Sequence, residues 1–505
     1  MSSKCSVLPM VEQDTRESHG LTMALLVSTV LVSRLLGLYV RHLYDDAFIT
    51  FRYAVNLAAG NGFVYNAGER VLGTTSPLWG LILTPLAWAH VPLPVVVPIL
   101  NALLDCVAAL LILLHGRRHH LMLPAVLFVV MFAGDPNMVR IPVGGMETSL
   151  LLVLSVAALL WFENGRRVLA AVVVSACYFL RPETLLLLVL LLILTARERR
   201  WREVAEMAGL SVLVIGIPVG FIWTYYGSPI AHSVMAKSAE LNGNLLPVLK
   251  EAFAVNPIHP VVLPLTLWGA TRATRLRGLP WYVLLWGIMY AGVYLLLRPA
   301  VWGWYFVPLH FAKFLLAAYG LADVVRRIRK ARRLSIRGWA LAGGGLVLLS
   351  GAAIAAKVGP APIRRNVYGP LQSWFREHPT RRASIMAGDI GAIGYYSEAQ
   401  IYDLAGLITP GSKARSNLAD AVSQWRPDYL FLVVSKAEIG ALRASQSAAI
   451  YRPVARFSKT GKRDLNPSEN ELHPRWQQDY ILYQRMPSTE DTANPSMRPT
   501  QALSR

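Results

Sequence analysis

The chain has 505 residues, 54% of them hydrophobic and only 16% charged, with a mean hydropathy of +0.40. A soluble domain is about a quarter charged, so this composition excludes one and points to a polytopic membrane protein. The net charge is +20. Its basic residues fall in short clusters between apolar runs, the positive-inside pattern, which argues against nucleic acid as a partner.

Residues 1–20 are polar and read as a disordered tail. Leu21–Val40 is the first span, with no small-residue cleavage site after it, and reads as a retained helix. Arg34 interrupts it past the midpoint. An arginine there either reaches an interface or meets an acidic partner, and the first reading is preferred. Cys5, Cys106 and Cys177 show neither a disulfide framework nor a zinc spacing.

Asp45-Asp46-Ala47-Phe48-Ile49-Thr50-Phe51-Arg52-Tyr53 stands just past the first span. Carboxylates at such a boundary are costly if buried and usually have a job. Residues 41–76 read as a long external loop, with 47–59 a short amphipathic helix on the membrane surface. Gly62, Gly68 and Gly73 with Asn61 and Asn66 are turn formers, and Ser76-Pro77 reads as a helix start.

Residues 77–114 are apolar but broken by Pro85, Pro92, Pro94 and Pro98. They read as one broken span or a hairpin of two, and only one net crossing keeps Arg117-Arg118 inside. Val168–Leu194 is cut by Arg181-Pro182-Glu183, giving two short helices with both charges at the turn. Further spans fall at about 207–224, 257–270, 279–297, 301–322 and 338–356. The map is a transmembrane module over 21–356 with about 11 spans and an external C-terminus.

From about 357 the apolar runs shorten to strand length. Ser384–Ala387, Gln400–Leu404, Tyr429–Val434 and Asp479–Tyr483 read as strands of a small α/β domain, 357–487. The glycine turn Gly388–Gly394 reads as a strand-to-helix connection rather than a phosphate loop. Residues 488–505 are rich in Ser, Thr and Pro and read as a disordered tail.

The outside-facing groups share a chemistry. Carboxylates (Asp45, Asp46, Glu147, Glu183) can take a proton from an attacking hydroxyl. Cations (Arg52, Arg181, His232, Lys237) can hold a phosphate leaving group. Aromatics (Tyr53, Tyr225, Tyr226, Trp302, Trp304, Tyr305) suit sugar rings and isoprenoid chains. Together they fit sugar transfer from a lipid phosphate. Each also has a plainer use. Glu147 can favour a helix N-terminus, Arg181 and Glu183 can pair, His232 and Lys237 can be solvated, and residues 302–305 can form an interfacial belt. No Walker loop or dinucleotide fingerprint supports ATP or a nucleotide-sugar.

Several stretches resemble the polytopic GT-C glycosyltransferases, nearest in look to bacterial terminal arabinofuranosyltransferases. They are Asp45–Ala54, Asn56–Asn66, Gly68-Glu69 and Thr75–Trp79, with Gly145–Thr148, Arg181–Glu183, Tyr225–Pro229, Ala236-Lys237, Asp389–Tyr395 and Asp403–Leu407. The resemblance runs over most of residues 40–410. It implies an external catalytic Asp loop and a polyprenyl-phosphate-sugar donor. It also implies inverting transfer to a glycan or glycolipid, in a bacterial inner membrane. The first aspartate, Asp45, would be the base, and Asp46 would orient the acceptor or a cation. Some relatives use a divalent cation, and nothing in this sequence places one. Met146, His232 and Val301–Trp304 depart from the family pattern, the last two where acceptor or donor fit is set. A transporter of lipid-linked glycan is the alternative, and it predicts inverted internal repeats, which the hydropathy does not show.

Overall fold

The structure is a computed structural model that describes residues 8–238, 245–253, 259–299, 302–328, 335–409, 418–472 and 478–487. It is mostly helical and divides into two compact units. Unit 1 is residues up to Ala58 plus Thr74–Ala361, and unit 2 is Ala59–Gly73 plus Pro362 onward.

Unit 1 contains α1 (Leu8–Val40), α2 (Asp45–Ala58), α3 (Pro77–Trp88), α4 (Leu93–Arg118), α5 (Met122–Gly134) and α6 (Pro136–Val143). It continues through α7 (Thr148–Glu163), α8 (Arg167–Cys177), α9 (Leu185–Arg197), α10 (Trp201–Tyr226), α11 (His232–Ser238) and α12 (Leu245–Phe253). It closes with α13 (His259–Leu276), α14 (Leu279–Leu297), α15 (Val307–Arg327) and α16 (Ile336–Val358). Among the described residues, six helices are long and apolar enough to cross a membrane, seven if the bent pair α5–α6 is one span. The chain is a multi-pass membrane protein. That count does not reach eleven, and α3, α7 and α8 are apolar but shorter. Of the stretch 77–114, only α4 has spanning length. The helical start at Leu8 also lies inside the tail expected to be disordered.

Local chemistry sets the helix breaks. α5 and α6 meet at 64°. Asp135 caps α6, its Oδ1 accepting from the Asn137 and Met138 amides at 3.0 Å each. Pro136 opens α6 and has no N–H, so the Phe132 carbonyl four residues back has no helical donor. Arg34 fills that need from α1, its Nη2 donating to Phe132 O at 3.2 Å. Its Nε lies 2.6 Å from Asp105 Oδ2 on α4, the two side chains 0% and 1% exposed. Arg34 therefore meets an acidic partner rather than an interface. The reason is the vacant carbonyl plus a carboxylate at the same depth. Elsewhere α13 and α15 touch backbone to backbone. A Cβ at Gly269 would fall 1.8 Å from Leu316 O, and one at Gly320 would fall 2.2 Å from Leu265 O.

Unit 2 holds a five-stranded sheet, ordered β2-β1-β3-β5-β4. Its strands are β1 (Ser384–Ala387), β2 (Gln400–Asp403), β3 (Tyr429–Val433), β4 (Tyr451–Ser458) and β5 (Asp479–Arg485). β1 pairs parallel with β2 and β3, while β5 runs antiparallel to β3 and β4. β4 is the strand that the sequence conceals. It carries Arg452, Pro453 and Arg456, and its register shifts between Pro453 and Ala455. Proline is tolerated at such an edge, where one side of the strand needs no ladder bond. Gly388–Ile390 joins β1 to the helix Gly391–Ser397, as read.

Residues 59–73 are built into this sheet's unit rather than into unit 1. The Asn66 side chain imitates a strand on the free edge of β2. Its Nδ2 donates to Ile401 O at 2.9 Å, and its Oδ1 accepts from Ile401 N at 3.0 Å. Glu69 accepts from Asn66 and from Gln400, and the Tyr65 hydroxyl donates to Ile390 O. The loop 41–76 is thus split between the two units.

Candidate functional site

The aspartate pair opens α2 rather than lying in a loop. Asp45 and Asp46 form its first turn, where the helix dipole favours carboxylates, and both are half-buried. Every residue from Ala47 to Ala54 is buried, including Arg52 and Tyr53. This overturns the expected surface helix. A helix lying on a membrane exposes one face to lipid, and this one buries both. The polar groups Thr50 and Arg52 are spent inside the protein, Thr50 on Thr74 at 3.2 Å. Asp45 and Arg52 are seven residues apart, two turns, so they share a face about 10 Å apart along the axis.

The 144–147 turn packs against the start of α2. The Tyr44 amide donates to Gly144 O at 2.9 Å. A Cβ at Gly144 would meet the Tyr44 ring at 2.3 Å. Gly145 has φ +87°, and a Cβ there would sit 3.1 Å from both Ala47 and Leu43 side chains. The glycine pair is therefore what lets the 144–147 turn approach the start of α2. Asn101, fully buried on α4, secures the turn by donating to Pro142 O and Met146 O at 2.9 and 2.8 Å.

Glu147 lies 1% exposed before α7. Arg181 reaches it with Nη1 at 3.3 Å and Glu183 with Nη2 at 3.1 Å. The Arg181 guanidinium also covers the Tyr305 ring at 4.2 Å. Tyr294 donates to Glu183 at 2.8 Å, and Tyr290 donates to Tyr305 O at 2.5 Å. Burial pushes the Glu147 carboxyl above the ordinary carboxylate range, and the Arg181 charge opposes the shift. The aromatic turn closes the circuit: the Tyr44 and Trp304 rings lie 4.6 Å apart, and Trp302 stacks on Trp304 at 6.0 Å. Trp304 is 7% exposed and Trp302 37%, so only the latter faces outward.

The structure thus brings together Glu147, Arg181, Glu183 and the 302–305 turn, and joins them to the start of α2 through Tyr44. Tyr225 and Tyr226 end α10, Tyr225 stacked on Phe221 at 5.7 Å and edge-on to Tyr226 at 4.7 Å. His232 opens α11. Lys237 lies on the same helix, with its side chain outside the described residues, as is Val301. Sequence reasoning missed Tyr44, Asn101, Tyr290 and Tyr294. The tyrosines at 290 and 294 carry a usable signal, one helical turn apart in an otherwise apolar helix. Neither Glu147 nor Glu183 suits a divalent cation while both pair with Arg181. The one His/Asp/Glu group with metal-like spacing among the described residues is His115, His119 and Glu163, at the other end of α7.

Among solved structures, ArnT from Cupriavidus metallidurans is similar in two states. Bound to undecaprenyl phosphate it gives a TM-score of 0.62 at 13% identity, covering 91% of this chain and 97% of that one. In the apo state the TM-score is again 0.62, at 11% identity and the same coverage. The chain shares the fold of ArnT. By sequence, 134 residues are 34% identical to a terminal β-(1→2)-arabinofuranosyltransferase of Mycobacterium tuberculosis. That match spans 24% of this chain and about a fifth, 21%, of the relative. Residues 361–483 match a family described as Domain of unknown function (DUF8728). They span β1 to β4 and most of β5.

Proposed function

We propose that this chain is an integral membrane glycosyltransferase. It moves a sugar, arabinofuranose being the first candidate, from a polyprenyl-phosphate donor to a cell-envelope glycan or glycolipid. The reaction takes place on the outer face of a bacterial inner membrane and inverts the anomeric centre. The GT-C fold supports the class, the ArnT complex with undecaprenyl phosphate supports the donor, and the arabinofuranosyltransferase match supports the sugar. The observation that carries the reading is the half-buried carboxylate pair on a helix otherwise buried through Ala54.

Asp45 takes the proton of the acceptor hydroxyl as that oxygen attacks the anomeric carbon, and the lipid phosphate leaves. Asp46, rotated about 100° on the helix, orients the acceptor or a cation. Arg181 is a weak choice for the phosphate clamp, because two carboxylates already hold it. Arg52, on the Asp45 face of α2, is the other candidate. The Glu147–Arg181–Glu183 circuit then positions the aromatic turn and the start of α2. Unit 2 and the C-terminus lie outside the cell in this reading, with about eleven crossings in the module.

The test is release of polyprenyl phosphate by the protein in nanodiscs, offered a panel of polyprenyl-phosphate sugars and envelope acceptors. One donor should be consumed, and Asp45→Asn should abolish its use while the melting temperature holds. Transfer by Asp45→Asn at the normal rate would remove the base assignment. No release from any donor, with labelled lipid-linked glycan crossing the bilayer, would make the chain a transporter.

A further inference from the structure

α7 has a carboxylate at each end. Glu147 precedes it, and Glu163 is its last residue, about 24 Å away along the helix axis. At that far end His115 lies in the last turn of α4 and His119 caps it, one turn on. The His119 amide donates to His115 O at 3.0 Å, which puts both rings on one face, with centroids 4.5 Å apart. His115 is buried and His119 exposed.

His115 Nδ1 lies 3.5 Å from Glu163 Oε2. That buried oxygen accepts no hydrogen bond among the described residues. The separation instead matches the edge of a coordination tetrahedron. Two donors each about 2.05 Å from a zinc ion stand about 3.3 Å apart. One donor atom from each of His115, His119 and Glu163 lies within 4.8 Å of the others. The other oxygen, Oε1, is held in place by the Leu279 amide at 3.3 Å. A Cβ at Gly278 would come within 2.2 Å of it, so glycine is what admits the carboxylate. The nearby Arg167 charge is answered by Glu198 at 2.6 Å and Glu203 at 3.2 Å. Arg118, next to His119 in the chain, opposes a dication and lowers the affinity.

We infer that His115, His119 and Glu163 bind one divalent transition-metal ion of the zinc, cobalt or nickel class, clamping α4, α7 and the start of α14. Two imidazoles and a carboxylate select these ions over magnesium or calcium, which prefer all-oxygen shells. Three protein ligands leave a position for water, and exposed His119 gives the ion its way in. The inference stands whether or not the chain transfers a sugar.

The test is zinc content and the visible spectrum with cobalt, on the full tag-free chain in nanodiscs. About one ion per chain should bind, with the intense absorption of a four-coordinate cobalt site. His119→Ala, an exposed position that leaves the core intact, should weaken binding by at least about tenfold, and Glu163→Gln likewise. His120→Ala, the neighbour outside the cluster, should bind as the native chain does. The site is overturned if no zinc binds, if His119→Ala binds unchanged, or if His120→Ala loses the ion equally.

Discussion

Arg34 and Arg181 are both buried in unit 1, and they are answered differently. Arg34 has one carboxylate, Asp105, and spends its remaining donors on Ser33 and the vacant Phe132 carbonyl. Its charge is cancelled, its donors are filled, and it sits against the Phe132 ring at 4.6 Å. Arg181 has two carboxylates, at a helix break, with Glu183 still 23% exposed. The first arrangement is closed and neutral, and it repairs a backbone defect. The second sets two carboxyl groups against one guanidinium and leads through aromatic rings to a half-buried carboxylate pair. Burial of an arginine is common to both, so it does not separate structure from function. The charge balance and the access to solvent do.

That contrast can be broken most sharply at Arg34. Arg34→Met leaves Asp105 buried without its guanidinium partner, and should cost about 3–5 kcal/mol of stability. The double change Arg34→Met with Asp105→Leu should recover most of it, since an apolar pair suits the site. Thermal unfolding in nanodiscs reads both, and the folded fraction should transfer sugar normally. A single variant that melts like the native chain would show that the pair repairs nothing.

Arg181→Met should behave the other way round. Its stability loss should be smaller, about 1–3 kcal/mol, because Glu183 can turn to water. Transfer by the folded protein should fall by about a hundredfold or more, by displacement of the 302–305 turn. Full activity in Arg181→Met would make it a second Arg34. Gly145→Ala sharpens the same point through the backbone. It forces a side chain to φ +87°, at a strain of about 1–3 kcal/mol, and pushes on Ala47 and Leu43. The rise in KM should exceed any drop in yield. An unchanged KM would detach the turn from the carboxylate pair. The smallest effect belongs to Asn66→Ala in unit 2, about 1 kcal/mol from two lost bonds to Ile401. Limited proteolysis near residues 59–73 reports it, and unaltered cutting would mean that the edge holds without Asn66.

Much of this was legible because it is written in periodicity and punctuation. The Arg181-Pro182-Glu183 break follows from proline chemistry, and four strands follow from short apolar runs with turn formers between them. β4 was hidden because an edge strand tolerates the proline and arginines that usually argue against one. Arg34 was misjudged because its partner, Asp105, is 71 residues away, and the need it meets, the orphan carbonyl of Phe132, arises from Pro136 on a third helix. The burial of α2 was illegible for a similar reason. Thr50 and Arg52 look like a polar face until other elements supply what they bond to. Of the site, Glu147, Arg181, Glu183 and the tryptophans could be named from chain chemistry. Tyr44 is recruited by packing, which no local pattern announces, while Tyr290 and Tyr294 show only as a one-turn spacing in an apolar helix.

The pairing of Asn66 with Ile401 also sets a timetable. The two residues are 335 positions apart in the chain. At about 5–20 residues per second, the ribosome delivers the second roughly 15–70 s after the first. Throughout that interval, most of the helices are already synthesised. The segment that follows the aspartate helix still has no strand to dock on. Biogenesis of this protein is therefore finished from its end, and a chain stopped after α16 would insert its helices yet leave residues 59–73 without their template.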